Sequence, residues 1–138
     1  MKPNQQSARE RGASLVEFAL VLPLFLLLIG GMVDLGRAFY TEVMLTNAAR
    51  EGARSAMYST TADNADARAT AALANGVKDP SISVTPCAQN AGSDATATVT
   101  VSAPFHWILL GPAMNLVSAG TTSLPGHLSG EATMQCGG

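Results

Sequence analysis

From Gly12 to Val33 the chain reads Gly-Ala-Ser-Leu-Val-Glu-Phe-Ala-Leu-Val-Leu-Pro-Leu-Phe-Leu-Leu-Leu-Ile-Gly-Gly-Met-Val, and its one ionisable side chain is Glu17. A run this apolar constrains everything around it. As an α-helix rising about 1.5 Å per residue, Ala13 to Val33 covers the roughly 30 Å of a hydrocarbon core, so the stretch is expected to span a membrane. A carboxylate deep in such a span costs roughly 2.5 kcal/mol or more, which places Glu17 either at headgroup level or beside a partner of opposite charge. Pro23 has no N–H and leaves the Ala19 carbonyl without its intrahelical donor, so a kink or local loosening is expected there. Gly30-Gly31 weakens the helix again near its far end.

The flanks give an orientation. Lys2, Arg9 and Arg11 precede the span with only Glu10 opposing them, whereas Arg37 is the sole Lys or Arg until Arg50 on the other side. The positive-inside rule puts the N-terminus in the cytoplasm and the bulk of the chain outside it. That compartment is oxidising, so Cys87 and Cys136 are expected to pair, the alternative being two free thiols. The chain has 138 residues. With the span set aside, this leaves room for one small domain. A net charge of -2 with eight Lys and Arg argues against a nucleic-acid binder, whose phosphate contacts need clustered cations. At 5% aromatic, with abundant Ala, Gly, Ser and Thr, the core outside the membrane must be built from small side chains.

Beyond the span the helical period continues. Ala38, Leu45, Ala49, Gly52, Ala53 and Ala56 fall on one face, while Arg37, Glu42, Arg50, Glu51 and Arg54 lie largely elsewhere, so residues 34–57 extend the membrane helix into the exterior. An Ala and Gly stripe buries little area but lets another backbone approach closely. Thr60 to Ala65 is a polar break, and Asp66 to Ala74 is expected to be a second helix stopped by Asn75-Gly76. From Lys78-Asp79-Pro80 the period changes to two: Ser81 to Pro86, Thr96 to Ala103 and Leu128 to Met134 alternate as strands, with a hairpin loop over residues 88–94. The expected fold is α+β: a long membrane-spanning helix, its extracytoplasmic extension, and a small three-stranded antiparallel sheet packed on the extension. In linear order this divides the chain into a leader (1–12), the helix (13–57) and an outer domain (58–138). Phe105 to Val117, interrupted by Gly111-Pro112, is too short to cross a bilayer. It is expected to cover one edge of the core, or else to present Phe105, Trp107, Ile108 and Leu109 to a membrane or a partner subunit.

Two motifs carry a family resemblance. Arg11-Gly12-Ala13-Ser14-Leu15-Val16-Glu17-Phe18, with a basic leader before the Gly and Glu at the fifth position after it, resembles the prepilin-peptidase signal of type IV pilins and pseudopilins. Asn47-Ala-Ala-Arg-Glu-Gly-Ala-Arg54, following such a helix, is similar to the TadE-like family of tight-adherence (Tad, Flp) pilus systems. Phe18 departs from the Tyr usual beside the Glu in the small Flp major pilins, and the greater length points to a minor pilin or pseudopilin. The resemblance implies an inner-membrane, pilin-like component of pilus assembly, cleaved between Gly12 and Ala13, with the lipid bilayer, a prepilin peptidase and other pilin-like subunits as partners. It also gives Glu17 a role: its carboxylate would neutralise the new α-amine of a neighbour's Ala13, each charge making the other tolerable in an apolar bundle and only one register bringing them together.

Other readings are weaker. A secretory signal peptide cut after Gly36-Arg37-Ala38 would have an apolar region that is too long and carries Glu17. An uncleaved, single-span scaffold for a secretion or pilus complex fits the same anchor. The sequence holds no nucleophile elbow, phosphate loop or paired-carboxylate set, so no enzymatic activity, cofactor or metal is expected. His106 and His127 lack companion ligands at metal spacing, and Asp63, Asp66 and Asp79 read as a helix cap, a first-turn residue and a turn residue.

Overall fold

The computed structural model describes residues 5–136 apart from 60, 74, 75, 89–91 and 93, and for residues 5–11 the backbone alone. In chain order the elements are α1 (Gln5–Ala56), α2 (Asp63–Leu73), β1 (Ser81–Thr85), β2 (Thr96–Pro104), α3 (Leu110–Val117) and β3 (His127–Gln135). The fold is α+β, with an antiparallel sheet in the order β1-β2-β3.

At 52 residues α1 runs unbroken through Pro23, Gly30 and Gly31. It begins at Gln5, within the leader expected ahead of the span. Extending an existing helix backwards costs far less than nucleating one, and Gln5 to Arg11 contains neither Gly nor Pro to stop it. The second helix likewise starts at Asp63 rather than Asp66, because both acids lie in its first turn, where the helix dipole favours them, and the Asp66 amide donates to the Ala62 carbonyl at 3.0 Å. Of its expected stop at Asn75-Gly76, Asn75 lies outside the described residues, as does most of the loop at 88–94, while the Gly76 amide donates to the Leu73 carbonyl at 3.2 Å.

Two compact units cut across the linear order. One takes the chain up to Leu35 with Ile108–Ser123; the other takes Gly36–Trp107 with Leu124 onward. In the second unit, β2 is the central strand and pairs Val99 with Val84 on one side and Ala132 on the other. Its inward residues Ala97, Val99, Val101 and Ala103 are buried, while the opposite face of the sheet is largely Ser and Thr, with His127, Glu131 and Gln135 on β3. Against the inward face pack Leu45, Ala48, Ala49, Ala53 and Ala56 of α1 and Ala65, Ala69 and Leu73 of α2.

A core of alanines gains enough dispersion contact only if the backbones come close. Two glycines permit it. A Cβ at Gly130 in β3 would collide with the backbone of Leu45 and Thr46, and one at Gly52 would meet Val99 at 3.1 Å and Ala69 at 3.2 Å. Cys87 and Cys136 are joined with Cα atoms 5.8 Å apart, and the Cys136 amide donates to the Ala95 carbonyl at 2.8 Å. This bridge holds the end of β3 to the segment that follows β1.

The segment between β2 and β3 is divided between the two units: residues up to Trp107 belong with the sheet, and Ile108–Ser123 with the apolar half of α1. None of the residues of α3 is fully buried. The physical reason that α3 goes with α1 is a buried acid.

Candidate functional site

Asp34 ends the apolar stretch of α1 and is 1% exposed. Its carboxylate accepts the amides of Ile108 at 3.2 Å, Leu109 at 2.8 Å and Leu110 at 2.9 Å. These donors are at the start of α3, where a helix has N–H groups without intrahelical acceptors and where its dipole favours negative charge. A side chain on one helix therefore caps another. One turn earlier Gly30 and Gly31 are buried, and a Cβ at Gly30 would fall on the Leu109 side chain. The glycines that weaken α1 as a helix are the notch that seats α3.

α3 itself suits that position. Pro112 falls in its first turn, where a missing N–H costs nothing. At its other end the Ser118 amide and hydroxyl both donate to the Met114 carbonyl, at 2.9 and 2.7 Å, and the chain leaves through Ala119 and Gly120 at positive φ. In the second unit the base of the same excursion is pinched shut: the Phe105 amide donates to Gly126 at 2.8 Å and the Trp107 indole to Pro125 at 2.8 Å. Phe105 is buried, packs edge-on to Trp107 with ring centres 4.9 Å apart, and lies beneath the Arg37 guanidinium at 5.3 Å. The four-residue group expected to form one surface thus divides: Phe105 is core, Trp107 half-buried, and Ile108 and Leu109 exposed.

The other residues singled out by sequence lie apart from this acid. Gly12, Ala13 and Glu17 are exposed on α1, at the start of a row of exposed apolar residues from Leu15 to Val33. A Cβ at Gly12 would meet nothing. Ala49, Gly52, Ala53 and Ala56 are all buried against the sheet and α2, together with Ala48, which the sequence reading omitted. Ala38, beside the rival signal-peptidase cut, is buried inside an unbroken helix. Asp34 was not anticipated. The signal was present in the spacing: Gly30, Gly31, Asp34 and Ala38 continue, at steps of three and four, the same stripe that reaches Leu45 and Ala49.

Among the described residues no three His, Cys, Asp or Glu side chains gather as metal ligands. The groove lined by Glu51, Arg54, Ser55, Tyr58, Ser59 and Arg68 is open and of mixed charge. With this geometry in view, comparison with known proteins is informative for one segment. Residues 12–54 match the TadE-like protein family. The TadE-like segment covers the apolar run, Asp34 and most of the Ala stripe, and it ends two residues before α1 does. No curated protein and no solved structure matches the chain.

Proposed function

We propose that this chain is a minor pilin or pseudopilin of a tight-adherence (Tad, Flp) pilus system: a membrane-anchored, pilin-like assembly component with its N-terminus in the cytoplasm and its sheet domain outside. The observation that carries the reading is the TadE-like match over residues 12–54, which opens at Gly12 and takes in a helix apolar and long enough to cross a membrane. Prepilin peptidase cuts between Gly12 and Ala13, and the released α-amine pairs with Glu17 of a neighbouring subunit. The exposed position of Glu17 on the apolar surface of α1 supports this role, since a neighbour's helix can reach it. The chain acts as a structural part rather than a catalyst.

A second reading has one observation in its favour. Helix α1 passes without a break from Gln5 through Gly12. A protease needs the scissile backbone extended, so cleavage requires the first turns to unwind. If they do not, the chain is an uncleaved scaffold of the same complex. Intact-mass measurement of the protein extracted from membranes of cells with and without the peptidase separates the two. The pilin reading expects a peptidase-dependent N-terminus at Ala13; an unprocessed chain in both strains leaves the scaffold.

A further inference from the structure

We infer that α3 is a membrane-interface element: with the turn preceding it, it lies in the lipid headgroup and upper acyl region of the leaflet at the Val33 end of the span. This rests on the reading of α1 as a membrane anchor and adds a second contact with the bilayer from a distant part of the sequence. Three observations carry it.

The first is level. α3 is seated on Gly30 and Gly31, three and two residues before the end of the apolar run. At about 1.5 Å per residue this sets its first turn about 3–5 Å inside the end of the span, close to the roughly 5–10 Å at which interfacial helices lie. α3 and the apolar half of α1 belong to one compact unit.

The second is composition on the outward side. Leu116 and Val117 are 86% and 85% exposed, and Ile108 and Leu109 about half exposed. No Asp, Glu, Lys or Arg occurs between Asp94 and Glu131. A helix facing water places charges on its outer side; this one has leucine and valine there, with Asn115 the polar exception.

The third is the treatment of its ends. Where water is scarce, an unpaired backbone N–H or C=O is expensive. Here Asp34 takes the amides at the front, and Ser118 with the turn to Thr121 takes carbonyls at the back. Three amides at the front and the Met114 and Asn115 carbonyls at the back are thus paired within the chain.

The test uses the full chain in phosphatidylcholine vesicles carrying bromine either high or deep on the acyl chain, since bromine quenches an indole at its own depth. Trp107 is the chain's single tryptophan. In a Trp107→Phe background, an indole is introduced by Leu116→Trp or, as the anchor control, by Phe25→Trp. Should Trp107→Phe disturb helix content or the disulfide, the same substitutions are read as differences from parent emission with Trp107 retained. The expected result is that the indole at 25 is quenched by deep bromine, whereas the one at 116 shifts to the blue, loses most of its emission to shallow bromine and resists aqueous iodide. Iodide quenching at 116 as strong as for a free peptide, without bromine quenching, overturns the inference and leaves the anchor standing. Protection at 116 from both quenchers also overturns it, and assigns the face to a protein neighbour. Absence of lipid quenching at 25 removes the anchor reading, and this inference with it.

Discussion

Asp34 shows how one side chain can decide where a segment goes. Three amides converge on its carboxylate at the start of α3, and each has no intrahelical acceptor to fall back on. Asp34→Ala is expected to destabilise the docked segment by about 3 kcal/mol, since an unsatisfied buried donor costs roughly 1–3 kcal/mol and part of the loss is recovered by water. Hydrogen exchange in micelles reads it directly: the amides of Ile108, Leu109 and Leu110 lose protection, while those of β2 do not. Gly130 is the counterpart in the sheet domain, where a single methyl group has no space. Gly130→Ala is expected to cost roughly 1–3 kcal/mol by forcing α1 away from β3, measured as a lower midpoint in chemical denaturation. At Gly12 space is free on every side, so Gly12→Leu should leave the fold intact and still block processing, because a peptidase must approach that backbone closely. A mature-sized product from Gly12→Leu in peptidase-containing cells would refute the cleavage assignment.

At the scale of elements, α1 serves two environments with one residue pattern. From Gly12 to Val33 it is apolar on all sides but for Glu17, whereas beyond Asp34 it has charged residues on one side and an Ala and Gly stripe on the other. The small stripe explains why the sheet domain needs a covalent tie: alanines bury little area each, and the largest fully buried side chains include Leu45, Leu73, Val99 and Val101 but no aromatic. The Cys87–Cys136 bridge spans a sequence separation of 49. In the chain-entropy model a loop of that length stabilises by roughly 4 kcal/mol, and commonly by less in practice. Reduction, or Cys87→Ser with Cys136→Ser, is therefore expected to lower the thermal midpoint of the sheet domain markedly while α1 keeps its helicity, as followed by circular dichroism. Rapid alkylation of both thiols in denatured but unreduced protein would show that the bridge does not form.

For the whole molecule, the proposed role depends on whether Glu17 meets a neighbour. Glu17→Gln should leave membrane insertion intact, since an amide is cheaper to place in lipid than a charge. It should weaken assembly by leaving a buried amine unpaired, a loss of about 3–5 kcal/mol, well beyond the worth of a screened surface pair. Cleavage is to be scored separately, and the comparison made on processed protein alone. If matured Glu17→Gln enters the pilus or its assembly complex as well as the parent, the carboxylate reaches only headgroups and the pairing model fails.

The span, the Ala stripe beyond it and the three strands were legible because each is a periodic pattern over consecutive residues, and periodicity reports which face is buried whatever covers it. Leu45, Ala49, Gly52, Ala53 and Ala56 announced a close neighbour, and Ala97, Val99, Val101 and Ala103 announced another. The helix starts were less clear, because extending a helix by a turn costs little and leaves a weak mark. What only the tertiary structure decided is the place of α3. Its apolar residues suit a core edge, a membrane and a partner equally well. The choice rests on Asp34, some seventy-five residues away in sequence, and on a glycine notch whose meaning depends on what is brought against it. Pairing of that kind joins groups with no local relation, so no window along the chain contains it.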